Sequence, residues 1–298
     1  MTKPLLGFLG LGRMGLPMCH LIAKQCNIVT YDINAGTRQK AKEKRLCVAD
    51  SIRKLIKNIS RSNQPRIIWL MVPSATVSNL IDQLIPELQK DDIIIDGGNS
   101  SFSHSRQQQG KLDKSGIQFV SIGCSGGLTG AKNGPPMTVS CDQSTLKRIE
   151  PFLLALGNNY AHYEGAAFGH LAKGIHNAIE YGMMESIAEG IALYFEHGFT
   201  QKEILDTFKV WSRGSIIESA LLECAIKCLE DYDFSKNKSI KQSETIELLE
   251  EICQVNNSTP VISAAINVRK DSSSVSAKTE TTLALLRKTF GGHAISNK

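Results

Sequence analysis

The sequence predicts an α/β fold in which a doubly wound, mostly parallel sheet is followed by an all-helical region. Three observations carry this. Short continuous apolar runs, the kind buried on both faces of a parallel sheet, recur through the first half of the chain between helical patterns. A G-x-G-x-x-G turn stands between the first run and the first helix. Beyond Tyr163 the short runs give way to long helical periodicity, so the 298 residues divide into two domains, 1–163 and 164–298.

Residues 4–10, PLLGFLG, form the first predicted strand, and Gly10-Leu11-Gly12-Arg13-Met14-Gly15 follows at once before a helix over 16–25. Strand, glycine turn and helix in that order let main-chain N–H groups and a helix N-terminus cradle a pyrophosphate. A second strand over 28–31 leads into Asp32, where a carboxylate accepts from both ribose hydroxyls and repels a 2′-phosphate. The first domain thus reads as a Rossmann-type dinucleotide-binding domain that favours NAD, while Arg38 is close enough in sequence to leave NADP open. Further strands are expected over 67–72 (IIWLMV) and 92–96 (DIIID). Val72 and Pro73 close the first, and Gly97-Gly98-Asn99-Ser100-Ser101 follows the second, at strand C-terminal ends where open α/β sheets bind ligands. Asn99 reads either as a ligand contact or as a helix cap. A strand over 117–123 runs into Cys124-Ser125-Gly126-Gly127-Leu128-Thr129-Gly130. There glycines free the main chain to approach a ligand and Ser125 can donate a hydrogen bond, a plain glycine loop being the alternative. Residues 137–140 are expected to add the last strand before a helix over 144–156.

Residues 165–198, GAAFGHLAKGIHNAIEYGMMESIAEGIALYFEHG, hold no proline and read as one long helix. At about 100° per residue, Lys173, His176, Asn177, Glu180 and Tyr181 fall within an arc of about 140°, with Ile175, Ala178, Ile179, Gly182 and Ser186 on the other side. An amine, an imidazole, a carboxamide, a carboxylate and a phenol on one face suit an active-site wall. A solvated Lys173 and Glu180 pair is the plainer alternative. Later helices are expected over 200–211, 215–230, 243–254, 260–268 and 278–290, with an exposed charged loop over 236–241 and no further strand. Near the end, RKTFGGH sets Arg287 and His293 on either side of a glycine pair, which also reads as a glycine C-cap beside a solvated arginine.

Composition narrows the function classes. A formal charge of +5 with scattered basic residues does not make a nucleic-acid stripe. No apolar run reaches the roughly 18 residues that span a bilayer, and Met1-Thr2-Lys3 leads into a strand rather than a signal segment. A cytoplasmic protein with neither a membrane nor a nucleic-acid partner is expected. Its eight cysteines include no C-x-x-C pair and are expected as reduced thiols. Cys224 and Cys228 share a helix face without the partners a metal site needs, so no metal is expected.

With those pieces placed, the sequence resembles the decarboxylating 6-phosphogluconate dehydrogenases, in their short-chain bacterial branch within the β-hydroxyacid dehydrogenases. The resemblance rests on GLGRMG (10–15), IIDGGNS (94–100), SGGLTGA (125–131), GHLAKGIHNAIEYGMM (169–184) and LRKTFGGH (286–293), of which the K-x-x-H-N-x-x-E-Y-G run is the most discriminating. It implies a small-molecule substrate, 6-phospho-D-gluconate, oxidised and decarboxylated to ribulose 5-phosphate. By the resemblance, Lys173 takes the C3 hydroxyl proton, which requires an amine whose pKa burial has lowered, and then supports the enolate oxygen; Glu180 returns a proton to C1 of the enediol. No metal is implied, because the β-keto acid is its own electron sink. Asn99, Ser125, Gly126, Gly127, His176 and Asn177 match positions that hold the carboxylate and hydroxyls. Tyr181, Arg287 and His293, with Arg269, match positions that hold the phosphate. Gly10, Gly12, Arg13, Met14, Gly15, Asp32, Val72, Pro73 and Asn99 match the cofactor side. In the family the C-terminal segment commonly completes a neighbouring subunit's site, which implies a homodimer or homotetramer. The second domain is therefore expected to serve substrate binding and oligomerisation.

The sequence departs from the family in three places. Glu218 and Ala220 stand where short-branch members tend to carry Arg and Trp, FSKNKSIK over 234–241 replaces a Gly-x-Gly-Arg-Trp segment, and Ser140-Cys141 replaces a glycine pair. A carboxylate near a dianionic substrate costs affinity unless it points outward. A dehydrogenase of the 3-hydroxyisobutyrate type and a catalytically impaired nucleotide-binding homologue are accordingly the alternative readings.

Overall fold

Eight strands form one sheet in the computed structural model, which describes residues 3–60, 64–165, 167–239, 245–253, 258–292 and 295–297. They are β1 (Leu5–Leu9), β2 (Asn27–Tyr31), β3 (Cys47–Val48), β4 (Ile67–Leu70), β5 (Ile93–Asp96), β6 (Gln118–Cys124), β7 (Met137–Ser140) and β8 (Tyr160–Tyr163). Their order is β3-β2-β1-β4-β5-β6-β7-β8, and every neighbouring pair is parallel except β6 with β7. This is a Rossmann-like sheet, with its order reversing between β1 and β4, so the C-terminal ends of those strands border the ligand crevice of such folds. Between the strands run α1 (Gly15–Gln25), α2 (Ala35–Glu43), α3 (Ile52–Ile59), α4 (Ser74–Leu84), α5 (Phe102–Asp113), α6 (Gly127–Asn133) and α7 (Gln143–Ala155). The apolar runs are continuous because both faces are covered. One face packs Leu6, Phe8, Trp69, Ile95 and Ile122, and the other packs Leu9, Ile68, Leu70, Ile94 and Phe119.

The chain divides into two compact units, Met1–Lys173 and Gly174–Lys298, and the division falls inside a single 29-residue helix, α8 (Phe168–Glu196). The second unit is helical: α9 (Gln201–Trp211), α10 (Ala220–Asp231), α11 (Thr245–Cys253), α12 (Pro260–Lys270) and α13 (Ala277–Gly291). Local chemistry sets several of these ends. Thr200 and Glu203 form a reciprocal capping box at the start of α9, and Gly292, at φ +65°, caps α13 in the left-handed conformation. At Gly174 a β-carbon would overlap Ile252 and lie 3.3 Å from Leu248, so glycine lets α11 press directly on α8.

Several sequence expectations are corrected. Residues 137–140 form β7, the last strand before α7 as expected, but the sheet extends further, with β8 pairing beyond it and β3 adding to the opposite edge. Four residues reading YAHY and two reading CV carry too little pattern to stand out. The long helix starts at Phe168 rather than residue 165, because Gly165 and Ala167 hold φ values of +107° and +61°. The helix expected from residue 215 begins at Ala220, since the Ser219 hydroxyl accepts from Leu222 N and caps it there. The segment 236–241 is not simply an exposed loop: β9 (Lys238–Ser239) pairs antiparallel with β10 (Ser296–Asn297), and Lys238 N donates to Thr281 Oγ1 at 3.0 Å. Residues 240 and 241, like 243, 244 and 254 of the expected 243–254 helix, lie outside the described residues. No helix among the described residues is long and apolar enough to cross a membrane.

Candidate active site

The glycine turn joins β1 to α1 with its carbonyls and amides packed tightly enough to make two of its glycines obligatory. A β-carbon on Gly10 would overlap the Met71 carbonyl and come within 2.9 Å of Val72 Cγ1; one on Gly15 would overlap the Gly10 carbonyl. Gly12 is different: it is exposed, and nothing lies within 4 Å of where its β-carbon would be. The space at Gly12 is open, bordered by exposed Arg13 and half-buried Met14. Asp32 braces the turn, accepting from Leu11 N at 2.7 Å and from Asn34 N at 2.8 Å. Arg38 Nη1 donates to the Asp32 and Ile33 carbonyls, and its guanidinium lies 5.7 Å from the Tyr31 ring centre. Val72 closes the floor between Gly10 and Gly98, and Pro73 stands exposed at the head of α4.

Lys173 lies beside the end of β6. A β-carbon on Gly123 would overlap Lys173 Cβ and come within 2.6 Å of Thr138 Oγ1, so the absence of a side chain there is what admits the first turns of α8. Thr138 Oγ1 donates to the Gly169 carbonyl at 2.8 Å and fastens that helix end to β7. The next residues are Cys124, Ser125, Gly126 and Gly127. Burial pushes the Cys124 thiol up to about 12 against the pull of Lys173. Ser125 N donates to the Pro136 carbonyl at 2.9 Å, and Gly126 and Gly127 hold φ values of +87° and +54° that start α6, leaving the loop half-buried and partly open.

Asn99 is exposed and caps nothing: the cap of α5 is Ser101, which accepts from His104 N at 3.1 Å. The capping alternative for Asn99 is therefore excluded. Beneath its loop lies a buried polar group with no signal in the sequence pattern. Fully buried Asp96 accepts from Gly98 N at 3.0 Å and from Ser100 Oγ at 2.7 Å, which sets the loop that presents Asn99. His170, one turn before Lys173, is buried against the Asp96 and Ile122 main chain, and its Nδ1 pairs with Ser105 Oγ of α5 at 2.6 Å. Burial lowers its pKa from the ordinary 6.5, outweighing the opposing pull of Asp96. Only the i, i+3 spacing from His170 to Lys173 hinted at this placement.

In the helical unit the expected polar wall divides differently from the expectation. Ile175 and Ile179, placed on the apolar side, are 45% and 55% exposed, whereas Asn177 and Tyr181 are 8% and 6% exposed. His176 Nδ1 lies 3.3 Å from Asn177 Oδ1 and 3.7 Å from Glu180 Oε2, so the three form one polar group that runs from exposed His176 to buried Asn177. Tyr181 turns inward to a second group: the Arg269 guanidinium sits 4.7 Å from its ring centre, and Arg269 Nε donates to Glu185 Oε1 at 2.7 Å. Arg287 is buried as well, not solvated as the plainer reading held, and its charge is opposed by burial and by Arg269 but favoured by Tyr181. Glu185 carries no signal in the sequence, because glutamate is a good helix former that ordinarily sits on a solvated helix face. His293 lies outside the described residues. Glu218 stands exposed in the turn before α10, accepting from Gly214 N at 2.7 Å. Among the described residues no cluster of His, Cys, Asp and Glu side chains gathers for a metal ion.

A family profile for the NAD binding domain of 6-phosphogluconate dehydrogenase matches residues 5–165, and a profile for that enzyme's C-terminal domain matches 169–294. The chain belongs to the 6-phosphogluconate dehydrogenase family. Among family relatives, the provisionally named 6-phosphogluconate dehydrogenase YqeC of Bacillus subtilis is 32% identical over 299 residues, covering 98% of this chain and 99% of that one. The NAD(+)-dependent, decarboxylating 6-phosphogluconate dehydrogenase of Haloferax volcanii is 31% identical over 223 residues, 73% of this chain and 72% of its own. The fold is shared with 6-phosphogluconate dehydrogenase of Plasmodium falciparum, described with NADP+ and with 6-phosphogluconate, at a TM-score of 0.80 and 24% identity over 90% of this chain and 62% of that one. It is shared also with 3-hydroxyisobutyrate dehydrogenase of Mycobacterium tuberculosis, at a TM-score of 0.74 and 19% identity over 97% and 99%. Membership in the 6-phosphogluconate dehydrogenase family makes the chain an oxidoreductase of the hydroxyacid dehydrogenase type with an NAD(P)-binding domain.

Proposed function

We propose that the chain oxidises 6-phospho-D-gluconate at C3 and decarboxylates it to ribulose 5-phosphate, with the sheet unit binding the cofactor and the helical unit serving the substrate and a neighbouring subunit in a homodimer or homotetramer. The observation that carries this reading is the buried pair Arg269 and Arg287 beside Tyr181. Two guanidiniums and a phenol suit a phosphoryl group far from the carbon that reacts. His293 joins them in this reading. Lys173 and Glu180 are seven residues apart on α8, about 10 Å of helix rise, so a base and an acid address different carbons of one extended substrate.

Lys173, as the free amine, removes the proton of the C3 hydroxyl. A nicotinamide held by the sheet unit would supply the acceptor for the hydride from C3. Lys173, now an ammonium, steadies the oxygen that gains charge as carbon dioxide departs, and Glu180 delivers a proton to C1 of the resulting enediol. Asn99, Ser125, Gly126, Gly127, His176 and Asn177 hold the carboxylate and hydroxyls so that these transfers occur in line. The turn from Gly10 to Gly15, with Val72, Pro73 and Asn99, holds the cofactor. Asp32 favours NAD over NADP, supported by the engagement of Arg38 with main-chain carbonyls rather than with open space.

Incubation with 6-phosphogluconate and either NAD or NADP, following reduced nicotinamide and carbon dioxide together, tests the reading. Equal release of both supports it; reduced nicotinamide without carbon dioxide, or no turnover, overturns it. A second reading is oxidation of a small 3-hydroxy acid without decarboxylation, favoured by the fold shared over 97% of this chain with the 3-hydroxyisobutyrate dehydrogenase of Mycobacterium tuberculosis. Turnover of 3-hydroxyisobutyrate in the absence of turnover of phosphogluconate would establish it.

A further inference from the structure

Glu185 on α8 and Arg269 on α12 make an ion pair whose side chains are 8% and 1% exposed. Its geometry is unusual for a pair that serves only to hold two helices. The contact runs from Nε to Oε1 alone, at 2.7 Å, and the parallel two-bond fork that arginine and carboxylate favour is not formed. Arg269 Nη1 and Glu185 Oε2 are both buried, and among the described residues neither has a hydrogen-bond partner. A buried pair left half-satisfied is costly, and an apolar pair of similar volume would serve packing better. What the arrangement leaves is an unfilled guanidinium edge over the Tyr181 ring, with a second buried guanidinium, that of Arg287, near enough for the two charges to oppose each other.

We propose that Glu185 is the specificity-determining residue of this corner: its carboxylate holds Arg269 in place of a ligand and yields it to a phosphoryl dianion, while excluding carboxylate monoanions. The inference rests on the phosphate-binding reading given above. A free monoanion brings the same charge that Glu185 already supplies and must also give up its translational freedom, so the tethered carboxylate wins. A phosphoryl group brings a second charge and three acceptor oxygens, enough to span Arg269 and Arg287 together. The residue therefore works by making the wrong class of ligand redundant. Burial also raises the pKa of Glu185, with Arg269 opposing and Glu189 reinforcing, which eases its release from Arg269 once a dianion arrives.

Calorimetric titration of the full chain with inorganic phosphate and with acetate tests the inference. The unaltered chain is expected to bind phosphate and to show no heat with acetate at the same concentrations. Glu185→Gln is expected to bind phosphate about tenfold more tightly and to bind acetate measurably. Glu185→Asp, which keeps the charge inside the fold but withdraws it from Arg269 by one methylene, is expected to tighten phosphate in the same sense and serves if the glutamine variant does not fold. If these variants bind phosphate no better than the unaltered chain while Arg269→Lys weakens it tenfold, Glu185 is merely structural and the inference is overturned with the phosphate corner intact. If Arg269→Lys and Arg287→Lys both leave phosphate binding unchanged, the phosphate-binding reading fails and takes the inference with it.

Discussion

Asp96 in the sheet unit and Glu185 in the helical unit are both buried carboxylates, and they are satisfied on opposite terms. Asp96 uses both oxygens, on Gly98 N and Ser100 Oγ, within four residues of itself. Glu185 uses one oxygen, on an arginine 84 residues away, and leaves the other without a partner among the described residues. A carboxylate saturated by its own loop is a brace: it fixes main-chain geometry whether or not anything binds. A carboxylate half-satisfied by a distant cation is poised, because its partner can be taken by something else. The sheet unit thus presents preformed surfaces at Gly12 and Asn99, while the helical unit keeps charge in reserve.

The largest expected effect is at Lys173, where Lys173→Met should lower kcat about 10³-fold while leaving NAD binding, measured by fluorescence titration, unchanged; a retained rate would move the chemistry away from the sheet unit's end of α8. Next, Arg269→Met alone should destabilise the helical unit by about 3–5 kcal/mol in denaturant unfolding, whereas Glu185→Met with Arg269→Met should restore most of that loss. Equal losses from the single and double variants would show that the pair is not poised. Asp96→Asn should cost about 1–3 kcal/mol, because an amide turns a donor toward the donors of Gly98 and Ser100. A neutral outcome would remove the brace.

A smaller effect concerns pH. The pKa of His170 is lowered on folding, so below 6.5 the unfolded chain takes up a proton that the folded one does not. Stability should therefore fall as pH drops through that window toward the lower folded value, by no more than about 1.4 kcal/mol per pH unit. His170→Gln should flatten this slope in thermal melts between pH 5 and 7. The smallest effect on folding is expected at Gly12, where alanine meets nothing within 4 Å: Gly12→Ala should leave Tm unchanged and weaken NAD binding, while Gly15→Ala, aimed at the Gly10 carbonyl, should lower Tm.

Much of the fold is encoded in short stretches of neighbouring residues. The α/β class followed from apolar runs such as IIWL and IIID, because a strand covered on both faces needs no alternation. The glycine turn was legible because its demands are local: Gly10 and Gly15 are crowded by atoms of their own β1 to β4 neighbourhood. The polar residues of α8 were legible because helical periodicity converts spacing into a shared face. Tertiary structure alone decided how that face divides. Ile175 and Ile179 are exposed and Tyr181 is buried because α11 and α12 pack on the helix from directions that no spacing within α8 encodes. It also decided that Ser101 and not Asn99 caps α5, that β8 and β3 extend the sheet, and that Lys238 enters a strand. Arg287 belongs with these: a glycine cap at Gly292 is written in the residues around it, but whether the arginine five positions earlier faces water or Tyr181 is settled by packing across helices. Local geometry is written in neighbouring residues, so the sequence determined the strands, the glycine turn and the long helix that carries Lys173 and Glu180. Partner choice between distant side chains depends on which helices meet, so the pairing of Glu185 with Arg269 and of His170 with Ser105 existed only once the chain had folded.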